Sequence, residues 1–175
     1  MGGKQEMMVI YACFSGTHAG VIAAALHLGW LTPAHLPDWR QLKKLPHFDA
    51  PEGQGGLRYL GRDSAGTSVY TAAVGHDGEA ARRAVATFLR IMGREQGEII
   101  WVDVSRRVSL LWRLGGFCRR YPHLAAPGRW LLCWSLRRDY STMVALVKES
   151  RRQVAGDPGS PAPASMIRTR FQAKT

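Results

Sequence analysis

Short apolar runs alternate along the chain with segments whose apolar residues recur every third or fourth position. The runs Met7–Ala12, Ile99–Val104 and Arg129–Leu136 predict buried strands, because they are short and rich in β-branched or aromatic side chains. Another pair, Leu57–Leu60 and Thr67–Val74, flanks a turn-rich insert and predicts a β-hairpin. These runs supply the strands of a sheet.

Helical spacing follows most of the predicted strands. The expected helices are Ala19–Leu28, Asp38–Leu45, a segment from the Asp77 cap to Gly93, about Arg106 to Arg120, and Tyr140–Gln153. Alternating strands and helices are typical of a mostly parallel sheet covered on both faces. We therefore expect a three-layer open α/β sheet, mostly parallel and Rossmann-like or P-loop-like, with one antiparallel hairpin strand.

Composition indicates one domain followed by a tail. The 175 residues are 46% hydrophobic and 21% charged, which is ordinary for a folded domain. We assign residues 1–153 to a single α/β domain and residues 154–175 to a flexible basic C-terminal tail. Three cysteines without CxxC spacing favour reduced thiols and a cytoplasmic location. Polar residues interrupt the apolar stretch Met7–Leu31, so no membrane span is expected.

Excess basic charge is confined to the second part of the chain. Residues 1–104 contain ten Lys or Arg and ten Asp or Glu, whereas residues 105–175 contain fourteen basic and three acidic residues. Between Ser105 and Arg138 there are eight arginines and no acidic residue. Guanidinium groups suit bidentate contact with phosphate or carboxylate, so this block indicates an anionic partner. A solvated basic face would give the same pattern.

Chemistry is expected where the predicted strands end. In an open parallel sheet, ligands lie outside the carboxyl ends of the strands, where the following helices point their N-termini. Four segments meet this condition, namely Cys13–Ala19, Gly75–Gly78, Asp103–Arg106 and Ser135–Asp139. The predicted ligand-binding residues at this edge are Ser15, Gly16, Thr17, His18, His76, Ser105, Arg137 and Arg138.

The first of these loops carries the strongest signal. Its glycine and hydroxyl side chains, next to the free amides of a helix start, suit an oxyanion or a phosphate. No lysine lies between Lys4 and Arg40, which excludes a Walker A loop, and Ala19 stands where a cysteine phosphatase needs arginine. A tight strand-to-helix turn without a ligand would have the same residues.

Three residues are candidates for catalysis. His18, at the start of a helix, suits a proton shuttle, a metal ligand or a phosphoryl acceptor, and equally a capping side chain. Cys13 suits either a nucleophile or a small buried hydrophobe. Asp103 suits a residue that orients His18, a ligand for a metal ion, or a helix cap. The cofactor stays unknown, with Mg²⁺ as one possibility.

Three segments, Cys13–Gly20, Ala23–Gly29 and Leu114–Phe117, together resemble an uncharacterised bacterial family found in firmicutes, the domain of unknown function 3189. The likeness covers roughly residues 7–150 and implies a compact α/β domain in which the first loop is important. It implies no activity. Family members tend to have Gly-Gly-Thr-His-Ser-Ser in this loop, whereas here Ser15 replaces the first glycine and Ala19-Gly20 replace the two serines.

Two local resemblances imply competing mechanisms. Gly16-Thr17-His18 looks like the phosphohistidine loop of mannose-type phosphotransferase IIA domains, in which an aspartate supports the histidine, and Asp103 could match that aspartate. The strand–loop–helix with the apolar strand that ends in Asp103 also looks like a P-loop nucleotide-binding core without its lysine. Neither resemblance decides the reaction.

Two hypotheses of different classes follow. The first is binding of a phosphorylated small molecule or a nucleotide at the first loop, with phosphoryl transfer or hydrolysis if the protein is an enzyme. The second is a non-catalytic module that binds nucleic acid or another polyanion through its arginine-rich part. Because Arg113 falls on a predicted polar stripe, the first hypothesis predicts that His18→Ala abolishes stabilisation by phosphorylated ligands and that Arg113→Ala does not. The oligomeric state is not indicated.

Overall fold

The sheet at the centre of the fold has five strands within the part of the chain that is described. The computed structural model describes residues 6–50, 56–91, 97–119, 121–156 and 165–170. The strands are β1 (Glu6–Cys13), β2 (Leu57–Arg62), β3 (Ser68–Ala73), β4 (Gly97–Asp103) and β5 (Met166–Arg170). In the order β2-β3-β1-β4-β5, β1 runs parallel to β3 and β4, whereas β2 and β5 run antiparallel to their neighbours.

Helices cover both faces of this sheet. They are α1 (Ala19–His27), α2 (Trp39–Lys43), α3 (Gly78–Ile91), α4 (Leu111–Arg119) and α5 (Ala125–Val154), with short 3-10 turns at Val104–Arg106 and Pro122–Leu124. The core on one face contains residues of α1, α2, α4 and α5. Val85 of α3 packs against the core on the other face.

β1 is the central strand and is buried on both sides. Val9 and Tyr11 belong to the core under α1 and α5, whereas Ile10 and Ala12 belong to the core on the α3 side. A strand that is covered on both faces has a continuous apolar sequence instead of an alternating one. This explains why the run at Met7–Ala12 predicted the strand, and it places the carboxyl end of β1 between those of β3 and β4.

Helix α1 approaches β1 closely. It is rich in alanine, and all of its residues are buried. A Cβ at Gly20 would lie 3.0 Å from both the sulfur of Cys13 and the carbonyl oxygen of Tyr11, so glycine permits this approach. Gly29, with φ of 75°, follows the end of the helix as the sequence predicts.

The α/β class, the open sheet and the β2–β3 hairpin are confirmed. The predicted cap of α2 is also confirmed, because the side chain of Asp38 accepts a hydrogen bond from the backbone N–H of Gln41 in a capping box. None of the helices in the described ranges combines the length and the apolar character that crossing a lipid bilayer requires.

The predicted strand Arg129–Leu136 is wrong, because these residues lie inside α5. The same helix includes the segment Tyr140–Gln153, for which a separate helix was expected. Its buried residues recur every three or four positions, and Trp130 and Trp134 are exposed although the run is apolar. A short apolar run fits either a strand or a buried helix, and here the helical period continues through it.

The start of one helix and the structure near the C-terminus also differ from expectation. Helix α4 begins at Leu111 and not at about Arg106. Met166–Arg170, expected in the flexible tail, pairs with β4 as an antiparallel strand. Two of the four neighbouring strand pairs are therefore antiparallel, and the sheet is mixed. Residues 157–164 and 171–175 of the predicted tail, and the predicted helix end at Gly93, lie outside the described residues.

The contact between α4 and α5 predicts that replacing either of two neighbouring glycines by alanine changes the free energy of unfolding by a different amount. A Cβ at Gly115 would lie 2.9 Å from Cγ of Leu132, whereas a Cβ at Gly116 would find its nearest neighbour, Nδ1 of His18, at 3.5 Å. Both changes to alanine gain helix propensity, but only Gly115→Ala crowds a packed core. We expect Gly115→Ala to lower the free energy of unfolding by about 1–3 kcal/mol relative to Gly116→Ala, measured by urea denaturation. Equal stabilities would contradict the close packing.

Candidate functional site

The loop after β1 curls around the sulfur of Cys13. The backbone N–H groups of Gly16 and Gly20 donate to Cys13 Sγ at 3.2 and 3.3 Å. Gly16 has φ of 70°, and a Cβ there would lie 2.9 Å from Ala73, so no L side chain fits. The expected cradle of free amides is therefore wrong for these two groups, because their hydrogens point at a buried sulfur and not at a ligand.

Cys13 contributes to the core. Burial raises the pKa of its thiol, although the backbone N–H groups of Gly20 and Gly16 act in the opposite direction. A thiol with a raised pKa stays protonated near neutral pH, and the protonated form is a poor nucleophile. The geometry therefore favours the interpretation of Cys13 as a small buried hydrophobe.

The imidazole of His18 has polar partners at both nitrogens. Nε2 lies 3.4 Å from Oδ1 of Asp49, and Nδ1 lies 3.2 Å from Oγ1 of Thr17 and 3.4 Å from Oγ of Ser15. Phe48 packs edge-on against the ring, with 5.5 Å between the ring centroids. Because an ionised carboxylate only accepts hydrogen bonds, Nε2 carries the hydrogen. Nδ1 is then the nitrogen that accepts a hydrogen bond from a hydroxyl.

Asp49 orients His18, a role that the sequence offered as one of three alternatives for Asp103. Arg119 Nε donates to Asp49 Oδ1 at 3.0 Å, and Arg119 Nη2 contacts Oδ2. Burial alone would raise the pKa of Asp49, but the hydrogen bonds from His18 and Arg119, together with the charge of Arg119, lower it to about 2. Asp49 is therefore ionised over the whole neutral range and holds the His18 ring in one orientation.

A pocket of about 270 Å³ opens beside His18. Three loops at the carboxyl edge of the sheet meet there. The N–H of Phe14 donates to Ser105 Oγ at 3.1 Å, which joins the loops after β1 and β4. Arg113 of α4 lies over the Phe14 ring, 4.5 Å from its centroid, and donates to Nδ1 of His76 at 3.1 Å. The structure thus brings together three of the four segments that were predicted to converge.

Asp103 lies in a second hollow next to this pocket, together with Asp77, Glu79 and Arg106. Arg106 Nε donates to Asp103 Oδ2 at 3.1 Å, whereas Oδ1 is buried and has no hydrogen-bond partner among the described residues. Asp103 makes no hydrogen bond to His18, so its predicted orienting role is wrong. Within the described ranges, no group of three or more His, Cys, Asp or Glu side chains is arranged to hold a metal ion.

Four predicted ligand-binding residues do not line the pocket. Gly16 and Thr17 are buried, and Thr17 Oγ1 donates to Ser15 Oγ at 3.2 Å, so Thr17 supports the loop from inside. Arg137 and Arg138 lie on the exposed side of α5, because the strand that was expected to end before them is helical. The other four line the pocket, namely Ser15, His18, His76 and Ser105.

The last predicted segment of the site is also part of α5. The buried carboxylate of Asp139 accepts hydrogen bonds from the N–H of Ser109 at 2.8 Å and from Nε1 of Trp112 at 3.0 Å. The buried Ser135 donates to the carbonyl oxygen of Leu131. The contacts of Asp139 fix α5 to α4 and to the segment before it, whereas the hydrogen bond of Ser135 lies within α5.

Three residues of the site were missed from the sequence. Asp49 lies in a proline-punctuated stretch where no local pattern distinguishes it. Arg119 and Arg113 belong to the block of eight arginines between Ser105 and Arg138. The block alone does not show which of these arginines lie at the site. Arg113 is exposed, as the predicted polar stripe requires, and it also lines the pocket, so the prediction that Arg113→Ala leaves ligand binding intact overlooks this contact with the pocket.

The family model described as Protein of unknown function (DUF3189) matches residues 8–152. The chain belongs to the DUF3189 family. The match runs from β1 to the last turn of α5, includes every residue that lines the DUF3189 pocket, and confirms the resemblance seen in the sequence. No curated protein and no solved structure matches the chain.

The low pKa of Asp49 predicts how the DUF3189 domain responds to acid. A carboxylate whose pKa falls from its ordinary value of 3.8 to about 2 on folding stabilises the fold above about pH 4. That contribution disappears as the pH falls from about 4 towards 2. We expect Asp49→Asn to unfold at a lower temperature at neutral pH and to lose less of its stability over this acid interval, measured by scanning calorimetry.

A matched control is Asp38→Asn, because asparagine caps helices as well as aspartate does. It should keep the acid profile of the wild type. An Asp49→Asn profile that falls as steeply in acid as the wild-type profile would refute the ion pair.

Proposed function

We propose that the protein binds a small phosphorylated molecule in the pocket beside His18 and transfers its phosphoryl group through Nδ1 of that ring. The observation that carries this proposal is the Asp49 carboxylate on Nε2. Because this contact keeps the hydrogen on Nε2, the lone pair of the neutral ring is at Nδ1, the nitrogen that faces the loop hydroxyls. A histidine held in this way is suited to nucleophilic attack.

His18 is 5% exposed and lines the pocket together with Gly116 of α4. A Cβ at position 116 would be in van der Waals contact with Nδ1 at 3.5 Å, so a phosphoryl group on Nδ1 needs the space that the missing side chain of Gly116 leaves. Ser15 Oγ lies within 3.4 Å of the same nitrogen and can turn its hydroxyl to a phosphoryl oxygen. Arg113 lines the same pocket and supplies positive charge near the developing negative charge.

The rest of the pocket suits an apolar or planar part of the ligand. Phe14 and Phe117 contribute aromatic surface, and Val108 and Leu110 contribute aliphatic surface. A volume of about 270 Å³ is just below the usual range for ligand sites, about 300–1,000 Å³. We therefore propose a phosphorylated small molecule with a compact apolar or ring-shaped part, of which a mononucleotide is one member.

The proposed step needs no group other than the ligand and water. The Nδ1 lone pair of His18 attacks phosphorus, and the bond from phosphorus to the leaving oxygen breaks. The leaving oxygen keeps the bonding electron pair and takes a proton from water. Attack by a further water on the phosphorylated ring then releases inorganic phosphate and restores His18. Transfer to an acceptor other than water would use the same first step.

Other finer assignments stay predictions. A Rossmann-like or P-loop-like origin is consistent with a ligand at the carboxyl ends of parallel strands. Mg²⁺ bound at Asp103 is tested by adding the ion in the experiments below. The cytoplasmic location rests on cysteine usage alone. Binding of nucleic acid or another polyanion would use the arginine-rich surface.

Phosphoramidate, a small phosphoryl donor, tests the proposed acceptor directly. We expect the wild-type protein to gain one acid-labile phosphoryl group on His18, detected by ³¹P NMR and by mass spectrometry with and without Mg²⁺. Asp49→Asn should be labelled about tenfold more slowly or worse, because an amide stabilises the positive ring of the transition state less than a carboxylate does.

His18→Ala removes the acceptor, and His123→Ala removes an exposed histidine as the matched control. Labelling should be absent in the first variant and unchanged in the second. A label that persists in His18→Ala, or a folded wild-type protein that is never labelled, would refute transfer through His18.

Binding can be tested separately from transfer. Saturating inorganic phosphate or AMP should raise the melting temperature, since a ligand at a hundred times its Kd adds about 2.7 kcal/mol of stability. Arg113→Ala should weaken this binding roughly tenfold, because it removes a charged hydrogen-bond donor. Arg83→Ala, which removes an exposed arginine of α3, is the control and should bind as the wild type does. Equal losses in both variants would place the anion outside the pocket.

A further inference from the structure

Large apolar side chains are exposed along α4, the turn after it and the start of α5. They occur in one stretch of the chain and are more than a third exposed, namely Leu110, Leu114, Phe117, Tyr121, Leu124, Trp130 and Trp134. We call this set the outer face. An exposed apolar surface of this size is unusual on a protein without a partner and indicates an interaction site.

Helix α4 exposes one apolar stripe. Leu110, Leu114 and Phe117 are separated by four and three residues, which is the spacing of such a stripe. Tyr121 follows the helix, and its ring packs edge-on against Phe117 with 5.5 Å between the ring centroids. The opposite side of α4 is buried through Trp112, Gly115 and Gly116. α5 likewise buries Gly128 and Leu132 against α4 and exposes Trp130 and Trp134. Trp130 and Trp134 are each two residues from Gly128 or Leu132, so they lie on the side of α5 that points away from α4, and each helix exposes an apolar stripe of its own.

The stretch of chain that carries this apolar surface is rich in arginine. Arg113, Arg129, Arg137 and Arg138 are exposed among or next to the outer-face residues. The guanidinium of Arg138 lies 5.9 Å from the centroid of the Trp134 ring. The sequence from 105 to 138 has no acidic residue, and Asp139 is buried and bonded to Trp112. The partner of this surface is expected to be anionic.

We propose that the outer face docks the protein on the surface of an anionic lipid bilayer. Tryptophan and tyrosine side chains occupy the interface between lipid and water, leucine and phenylalanine enter the acyl region, and arginine pairs with anionic headgroups. Nucleic acid would use the arginines and the aromatic rings, but it offers no apolar region for the exposed leucines. The mixture of Leu, Trp and Arg therefore favours a lipid surface.

Co-sedimentation of the full chain with vesicles tests this proposal. The protein should sediment with vesicles of phosphatidylcholine and phosphatidylglycerol in equal amounts and remain in solution with phosphatidylcholine alone. The double variant Trp130→Ala and Trp134→Ala should bind roughly tenfold more weakly, because it removes two large apolar side chains from the interface. Trp30→Ala is the matched control, since Trp30 is 45% exposed and Trp134 is 43% exposed.

A charge reversal tests the electrostatic contribution to vesicle binding. Arg138→Glu should weaken binding to the mixed vesicles about fivefold or more, because each arginine at an anionic surface contributes on that scale. Arg83→Glu makes the same change of charge on α3, with a side chain 71% exposed against 62% for Arg138. It should weaken binding less, since the two helices cover opposite faces of the sheet.

Several results would overturn the proposal. Equal binding to both kinds of vesicle, no binding by the folded protein, or full binding by the double tryptophan variant would each do so. Steeply salt-dependent binding to DNA without vesicle binding would assign the surface to nucleic acid. A dimer in solution that the double tryptophan variant dissociates would assign it to a second copy of the chain. None of these outcomes bears on phosphoryl transfer through His18, which the labelling experiment measures.

Discussion

The carboxylate of Asp49 determines the geometry of the whole site. It lies between His18 at the start of α1 and Arg119 in the last turn of α4, so one negative charge joins two helices that are distant in sequence. The N–H of Asp49 also donates to the carbonyl oxygen of Thr17 at 3.2 Å, which ties this segment to the same loop. Because Arg119 holds α4 against the loop, Arg113 of that helix comes to line the pocket. Orientation of the ring and closure of the pocket thus depend on the same ion pair.

The sulfur of Cys13 imposes the second constraint. In many phosphate-binding loops the backbone N–H groups meet the anion. Here the N–H groups of Gly16 and Gly20 are directed at Cys13 Sγ, so they cannot also bind a ligand. An anion bound as proposed would instead contact side chains of the pocket, among them the guanidinium of Arg113 and the hydroxyl of Ser15. The site is in this respect unlike a P-loop, although it occupies the same place in an α/β sheet.

The elements that could be predicted are those whose identity is determined locally. β1 has a continuous apolar sequence, and α2 has a capping box, so both followed from the residues themselves. Arg129–Leu136 is different, because its period becomes evident only when the exposure of Trp130 and Trp134 is known. β5 pairs with a strand about 70 residues earlier, as the contact of Arg168 with Glu98 illustrates. Asp49 was not predictable for the same reason, since its importance comes from partners in α1 and α4.

Helix α4 connects the pocket with the outer face. Its inner side carries Gly116 against His18, and its outer side carries Leu114. Phe117 belongs to both surfaces, because it is half exposed and also lines the pocket. The proposed lipid surface and the proposed ligand would therefore both contact Phe117. If binding at the outer face changes the affinity of the pocket for its ligand, then the ligand must change the affinity of the outer face by the same factor. Arg113 also belongs to both surfaces, because it lines the pocket and is exposed next to the outer face. Its positive charge therefore acts on both.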